Sequence, residues 1–377
     1  MALTFSQSLV WSKIKYYLLP VELVVFLYIF TSYFNTQILL QYYYQIYARQ
    51  TLNLSSNFSH CLNQTDIVDM SDNATFSLIQ QNTNHLNLIT SVVSQVPSVF
   101  VLIILGGFAD KFGRKIIMFV IFIGQLIQAI NGVVVVYYQL NMYLLLIGKV
   151  AYGITGGFGA ALIAGYSYVA DITPKRWLTI RIGLVQLAIF AASAAGAAAS
   201  NSWLGSNGCD FHPPMWLTVA TSVVSILYVV ILPESLTEER KKELEIRPKK
   251  GLQAWVTGLK IYFWPPFLGF SNYWKVLIAT VAMGLVVLNE IGSGQITTYF
   301  LENKPLEWSL ELISMYSMTT AIVHCIALLV VLPILVLIGL HDVLISLIGV
   351  VVTCGAVVCF GFVQHSWPVW LIFISEC

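Results

Sequence analysis

The sequence predicts an all-α polytopic membrane protein, and three observations carry that prediction. The 377-residue chain is 58% hydrophobic and only 10% charged, with a mean hydropathy of +0.78, whereas soluble globular chains carry about 25% charged residues. Apolar runs of the ~20 residues that cross a bilayer recur along the whole length. The loops between them alternate, basic on one side and poor in base on the other. Backbone in lipid must satisfy its own hydrogen bonds, so these runs are helices. A net charge of +1 gives no footprint for nucleic acid. No paired catalytic motif such as His-Glu-x-x-His or Gly-x-Ser-x-Gly occurs, so no enzyme and no cofactor is expected.

The first span runs from about Leu18 to Gln45, with Pro20 and Glu22 at its cytoplasmic end. Lys13 and Lys15 precede it in the manner of a signal peptide, but the run is too long and lacks a small-residue cleavage site. Asn35, Gln37 and Gln41 form a polar stripe in its second half, expected to face a cavity or another helix. Residues 47–84 then turn polar and hold Asn-x-Ser/Thr acceptors at Asn53, Asn57, Asn63 and Asn73. Clustered in one loop, these place it outside the cytoplasm and predict glycosylation.

The second span, about Leu86–Ala109, contains Pro97 as an expected kink. It ends in Gly106-Gly-Phe-Ala-Asp110-Lys111-Phe-Gly113-Arg114-Lys115, read as a tight turn. Gly113 supplies permissive backbone for the reversal, and Gly106 allows close helix approach. The three bases hold the turn in the cytoplasm. The third span, about Ile116–Tyr138, carries Gln125, Gln128 and Asn131; a break at Gln139–Asn141 leads into the fourth, Tyr143–Ala170. That span is dense in glycine (Gly148, Gly153, Gly156, Gly157, Gly159, Gly165) and is read as one closely packed helix ending at Asp171 and a second basic turn.

The fifth span is expected over Thr179–Ser200, the sixth over Met215–Leu232, the seventh over Lys275–Leu301, the eighth over Leu310–Leu340 and the ninth over Val343–Val363. A tenth begins near Pro368. The organisation is thus an N-terminal six-span bundle (1–232), a charged cytoplasmic linker (233–273) and a partial second bundle (274–377). Of the 19 basic residues, only Arg49 and Lys304 fall outside, and Lys149 lies within the fourth span. The charge rule and the sequons therefore agree on a multi-pass protein with a cytoplasmic N-terminus.

The joint spacing Gly-x-x-x-Asp-Lys-x-Gly-Arg-Lys at 106–115 resembles the loop between helices 2 and 3 of major facilitator superfamily transporters. Pro20-Val-Glu22, Gly157-Phe-Gly159, Val169-Ala-Asp171, Ile296-Thr-Thr-Tyr299 and Pro305-Leu-x-Trp308 are similar to solute carrier family 46. The resemblance implies twelve helices in two pseudo-symmetric bundles, with helices 11 and 12 and most of helix 10 beyond Cys377. It further implies proton-driven import of organic anions, folates among them, at a plasma or lysosomal membrane. Gly106, Asp110, Lys111, Gly113, Arg114, Lys115 and Asp171 would then be the gating residues, with Arg114 paired to the acid that ends the fourth span. Gln186 stands where folate-carrying members have a glutamate, and Glu290 where they have a histidine. The family's cysteine after helix 7 is absent near Glu307, which leaves Cys209 as the expected partner of Cys61.

Substrate and proton candidates follow from intramembrane polarity. Glu290 is the coupling candidate, because a lone carboxylate in lipid is costly unless it is functional or paired. Lys149 either binds an anionic substrate or snorkels to the outer interface. Gln186, Gln295, Asn35, Gln37 and His324 complete the set, each with an interhelical hydrogen bond as its plainer role. The expected partners are a small-molecule substrate, protons and the lipid bilayer. A transporter-derived receptor or scaffold is the alternative, and the exchange at Gln186 favours it.

Overall fold

The computed structural model describes residues 20–54, 73–207, 210–235 and 310–363, with scattered positions from 274 to 308. Side chains at 73–74, 103–104, 106–112 and 205–207, and several in the first turns after 309, lie outside that description. Among the described residues every regular element is helical, and eight helices are long and apolar enough to cross a membrane. This is the all-α polytopic architecture that the composition required.

In chain order the helices are α1 (Val21–Thr51), α2 (Asn73–Phe112), α3 (Arg114–Tyr137), α4 (Leu145–Ile154) and α5 (Gly157–Ile172). They continue with α6 (Leu178–Asn207), α7 (His212–Ile231), α8 (Leu310–Ile326), α9 (Leu332–Leu337) and α10 (Asp342–Phe360). Internal contacts divide the chain into two units, Met1–Thr173 with Ala192–Pro248, and Pro174–Ala191 with Lys249–Cys377. The fifth span, α6, is shared between them.

Several boundaries differ from the sequence expectation; α6, for one, runs to Asn207 rather than stopping at Ser200. The first two spans continue past their apolar windows: α1 reaches Thr51 and α2 begins at Asn73. In that extension only one stripe of α2 is buried, through Ile79, Thr83, Leu86 and Thr90. Spacings of three and four put these on one helix face. Ile79 and Ala48 form a small apolar cluster there with Tyr44, Tyr47, Leu52 and Phe76. Outside lipid one apolar stripe suffices for a helix, which is why hydropathy stopped short.

The basic turn is also tighter than expected. Helix α2 runs through Phe112, so Gly106, Asp110 and Lys111 are helical, and the whole reversal into α3 is Gly113 at φ +98°. Only glycine takes that backbone without strain.

The fourth span is two helices rather than one. A left-handed Gly156 (φ +94°) and Gly157 (φ +50°) separate α4 from α5. In the second unit the eighth span carries a π turn, Ala327–Val331, between α8 and α9. Pro333 has no N–H to donate to the turn before it. The Leu332 N–H accordingly reaches back five residues to Ala327 O.

The core of the first unit gathers Phe34, Ile38, Tyr42, Tyr43, Leu86, Val136, Met142 and Met215 from α1, α2, α3, α7 and the turn ahead of α4. The glycines of the fourth span set how close the helices come. A Cβ at Gly153 would collide with the Ser94 carbonyl oxygen, and one at Gly148 would lie 2.8 Å from Asn131 Oδ1.

Candidate functional site

Among the described residues, a constellation of charged groups lies where α3, α5 and α7 have their ends together in the first unit. Gly113 turns the chain and leaves the Arg114 N–H at the start of α3 without a partner from its own helix. The carboxylate of Glu234, just past α7, fills that position: Arg114 N–H donates to Glu234 Oε1 at 3.1 Å. The Ser235 N–H donates to the same oxygen at 3.0 Å. An anion at a helix N-terminus is favoured by the helix dipole.

Lys115 does the complementary thing at the other polarity. Its Nζ donates to the Val230 carbonyl in the last turn of α7 at 2.7 Å, a cation on a helix C-terminus. Asp171 sits one residue from the end of α5, where the dipole repels a carboxylate. Arg114 Nε offsets this at 3.2 Å from Asp171 Oδ2, and Ser235 Oγ–H donates to that oxygen at 3.3 Å. Tyr168, one turn earlier on α5, donates its hydroxyl to Pro233 O at 2.7 Å. Both partners of the ion pair are largely covered, with side chains 11% and 19% exposed. Two cations, two carboxylates and three helix ends thus close on one another, held by contacts that relative motion of α5 would break.

The structure therefore brings Gly113, Arg114, Lys115 and Asp171 together. It leaves Gly106, Asp110 and Lys111 in the last turns of α2, with side chains outside the described residues. Sequence reasoning missed Glu234, Ser235 and Tyr168. The available signal was an acid directly after Pro233 at a span exit, on the same side as the basic turn.

A second polar seam runs through the middle of the first unit. Tyr28 O–H donates to the Tyr152 hydroxyl at 2.8 Å, and Gln125 Nε2 donates to Tyr28 O at 3.0 Å. Asn35, 5% exposed on α1, and Gln125 each keep a buried side-chain oxygen with no partner among the described residues. The expected stripe on α1 is split: Asn35 is buried, Gln37 half-buried and Gln41 exposed. Two residues along a helix turn about 200°, so Asn35 and Gln37 occupy different faces. Lys149 lies on α4 one turn from Tyr152, is half-buried, and has no ion pair among the described residues.

In the second unit His324 stacks on Phe190, ring centroids 5.0 Å apart at 17°. Phe190 follows half-buried Gln186 by four residues on α6, so the two share a face. Glu290 and Gln295 lie outside the described residues, as do Asn57, Asn63, Cys61 and Cys209. Asn73 opens α2, and its side chain is likewise outside them; Asn53 is exposed at φ +51°. Cys325 is half-buried, while Cys354 and Cys359 are exposed rather than packed as small core residues.

Comparison with known proteins places this geometry. The chain is 25% identical over 297 residues to the proton-coupled folate transporter of Rattus norvegicus, covering 78% of this chain and 61% of that protein. It is 26% identical over 257 residues to a lysosomal proton-coupled steroid conjugate and bile acid symporter of Gallus gallus, covering 65% of this chain and 53% of that one. The chain thus spans less than two thirds of the length of these curated relatives. Among solved structures, the human organic anion transporter MFSD10 (TETRAN) superposes with a TM-score of 0.56 at 13% identity, over 94% of this chain and 81% of that one; this likeness concerns the fold. The profile described as Major Facilitator Superfamily matches residues 24–375. On that match the chain belongs to the major facilitator superfamily, and within it is similar to solute carrier family 46.

Proposed function

We propose that this chain belongs to a secondary active transporter that moves a small organic anion by alternating access, driven by protons. The observation that carries the reading is the Arg114–Asp171 pair at 3.2 Å, closed beside Glu234 at the ends of α3, α5 and α7. The pair lies within the first unit, and alternating access requires contacts at such helix ends that are strong enough to hold one state and few enough to break. The folate and steroid-conjugate relatives support an organic anion as cargo and protons as the driving ion. The cavity residues of this reading are Glu290, Lys149, Gln295, Gln186, Asn35, Gln37 and His324. Glu290 carries the proton and Lys149 meets the anionic group of the substrate. Localisation follows the relatives: a plasma or lysosomal membrane, N-terminus in the cytoplasm, the first loop outside and glycosylated.

The test is uptake into proteoliposomes containing the full-length protein, with radiolabelled folate and a bile acid as probes, with and without an inward-directed proton gradient (acidic medium outside). Uptake of either probe that rises with the gradient is the expected result. Binding of a probe without uptake, in either condition, would instead identify a receptor.

A further inference from the structure

The break between α4 and α5 lies directly against a second irregularity. Helix α2 contains Pro97, which has no N–H and cannot complete the helical bond to the residue four before it. The next residue, Ser98, is 2% exposed and donates its hydroxyl across to Gly156 O at 2.6 Å. That carbonyl belongs to the left-handed residue of the break, φ +94°. It also accepts the Ala160 N–H of α5 at 3.1 Å. Rotating Gly156 back to right-handed helix would re-aim the carbonyl, so the Ser98 bond and the broken backbone stand or fall together.

From this hinge α5 runs without interruption to Asp171. At 1.5 Å per residue, those ~14 residues make a lever of about 21 Å. A rotation of roughly 10° at Gly156 would carry its tip by about 4 Å, more than enough to open an ion pair of this kind. The sides of α5 are small where it is most closely packed: a Cβ at Gly157 would lie 2.9 Å from the Tyr152 ring and one at Gly159 2.7 Å from Leu102, so the helix presents glycine rather than interlocking side chains there.

We infer that Ser98 is a positioning residue, which latches the hinge at Gly156–Gly157 and so holds the α5 lever with Asp171 against Arg114. The inference rests on reading the Arg114–Asp171 pair as a gate. One hydroxyl thereby couples the Pro97 turn of α2 to the far end of α5.

The experiment is a pulsed electron-spin distance measurement on the full-length protein in lipid nanodiscs. Spin labels are attached through a non-natural ketone residue at the exposed positions Phe119 on α3 and Ala170 near the tip of α5, which leaves the native cysteines in place. Ser98→Ala should raise the ratio of the separated to the close population about five-fold, the size of one hydrogen bond. Ser98→Thr, which keeps the hydroxyl, should restore the original ratio, and Asp171→Asn should raise it through the gate itself. A shift in Asp171→Asn with none in Ser98→Ala would overturn the role of Ser98 and leave the gate intact. No shift in Asp171→Asn would sink the gate reading and the inference with it. If Ser98→Ala shifts the ratio but Ser98→Thr does not restore it, Ser98 serves only packing, and the inference fails.

Discussion

Glu234 lies so close to Gly113 that a Cβ built on the glycine would sit 2.6 Å from Glu234 Oε2. The two are 121 positions apart in sequence (234 less 113), yet each explains the other. The glycine bares the first N–H groups of α3, and the carboxylate takes the space a side chain would have filled.

Gly113→Ala should therefore be destabilising on two counts. At φ +98° and ψ 160° the backbone lies in a region essentially reserved for glycine, where an alanine costs about 1–3 kcal/mol, and the displaced carboxylate loses charge-assisted bonds of about 1.5–3 kcal/mol. Thermal unfolding in detergent should show a lower midpoint than wild type. Glu234→Gln, which keeps an acceptor oxygen but removes the charge, should lose less than Glu234→Ala.

Arg114 and Asp171 should behave as a pair rather than as two independent charges. Arg114→Asp and Asp171→Arg should each reduce function or expression, and the double exchange should recover a measurable part. A coupling of about 0.5–3 kcal/mol is expected for groups in direct contact, read from unfolding midpoints of all four proteins. Strict additivity would mean that the pair is not an interacting unit.

Asn53 should not carry the glycan expected of the first loop. It sits two residues beyond α1 with a left-handed backbone, and the following Leu54 N–H is tied back to Arg49 O at 3.0 Å. This is a helix-terminating turn, for which asparagine is well suited, and it presents no extended acceptor segment. Glycosidase treatment of protein from animal cells should lower the gel band, and Asn53→Gln should leave that shift unchanged. Loss of the shift in Asn53→Gln alone would reverse the assignment.

Glu290→Gln should separate coupling from folding. The variant is expected to reach the membrane and exchange substrate across it, but to lose uptake driven by a pH gradient. Poor expression or a lower unfolding midpoint would instead mark a structural ion pair, and unchanged gradient-driven uptake would remove Glu290 from the mechanism.

The sequence by itself determined what depends on local composition. Apolar runs must become helices in lipid, so the described spans were legible, with ends misplaced where α1, α2 and α6 run on past their apolar windows. The Gly113 reversal was legible from its spacing, and the meeting of Arg114 with Asp171 was expected from the resemblance to major facilitator superfamily transporters rather than from the residues alone. Tertiary structure alone decided what depends on which neighbour arrives. Six glycines in the fourth span all announce close packing, but only contact selects among them: Gly153 admits the Ser94 backbone, while Gly156 goes left-handed where Ser98 reaches its carbonyl. Glu234 was invisible for the same reason. Its partner is a bare N–H more than a hundred residues away, and an orphan helix end leaves no mark in sequence saying which side chain will satisfy it.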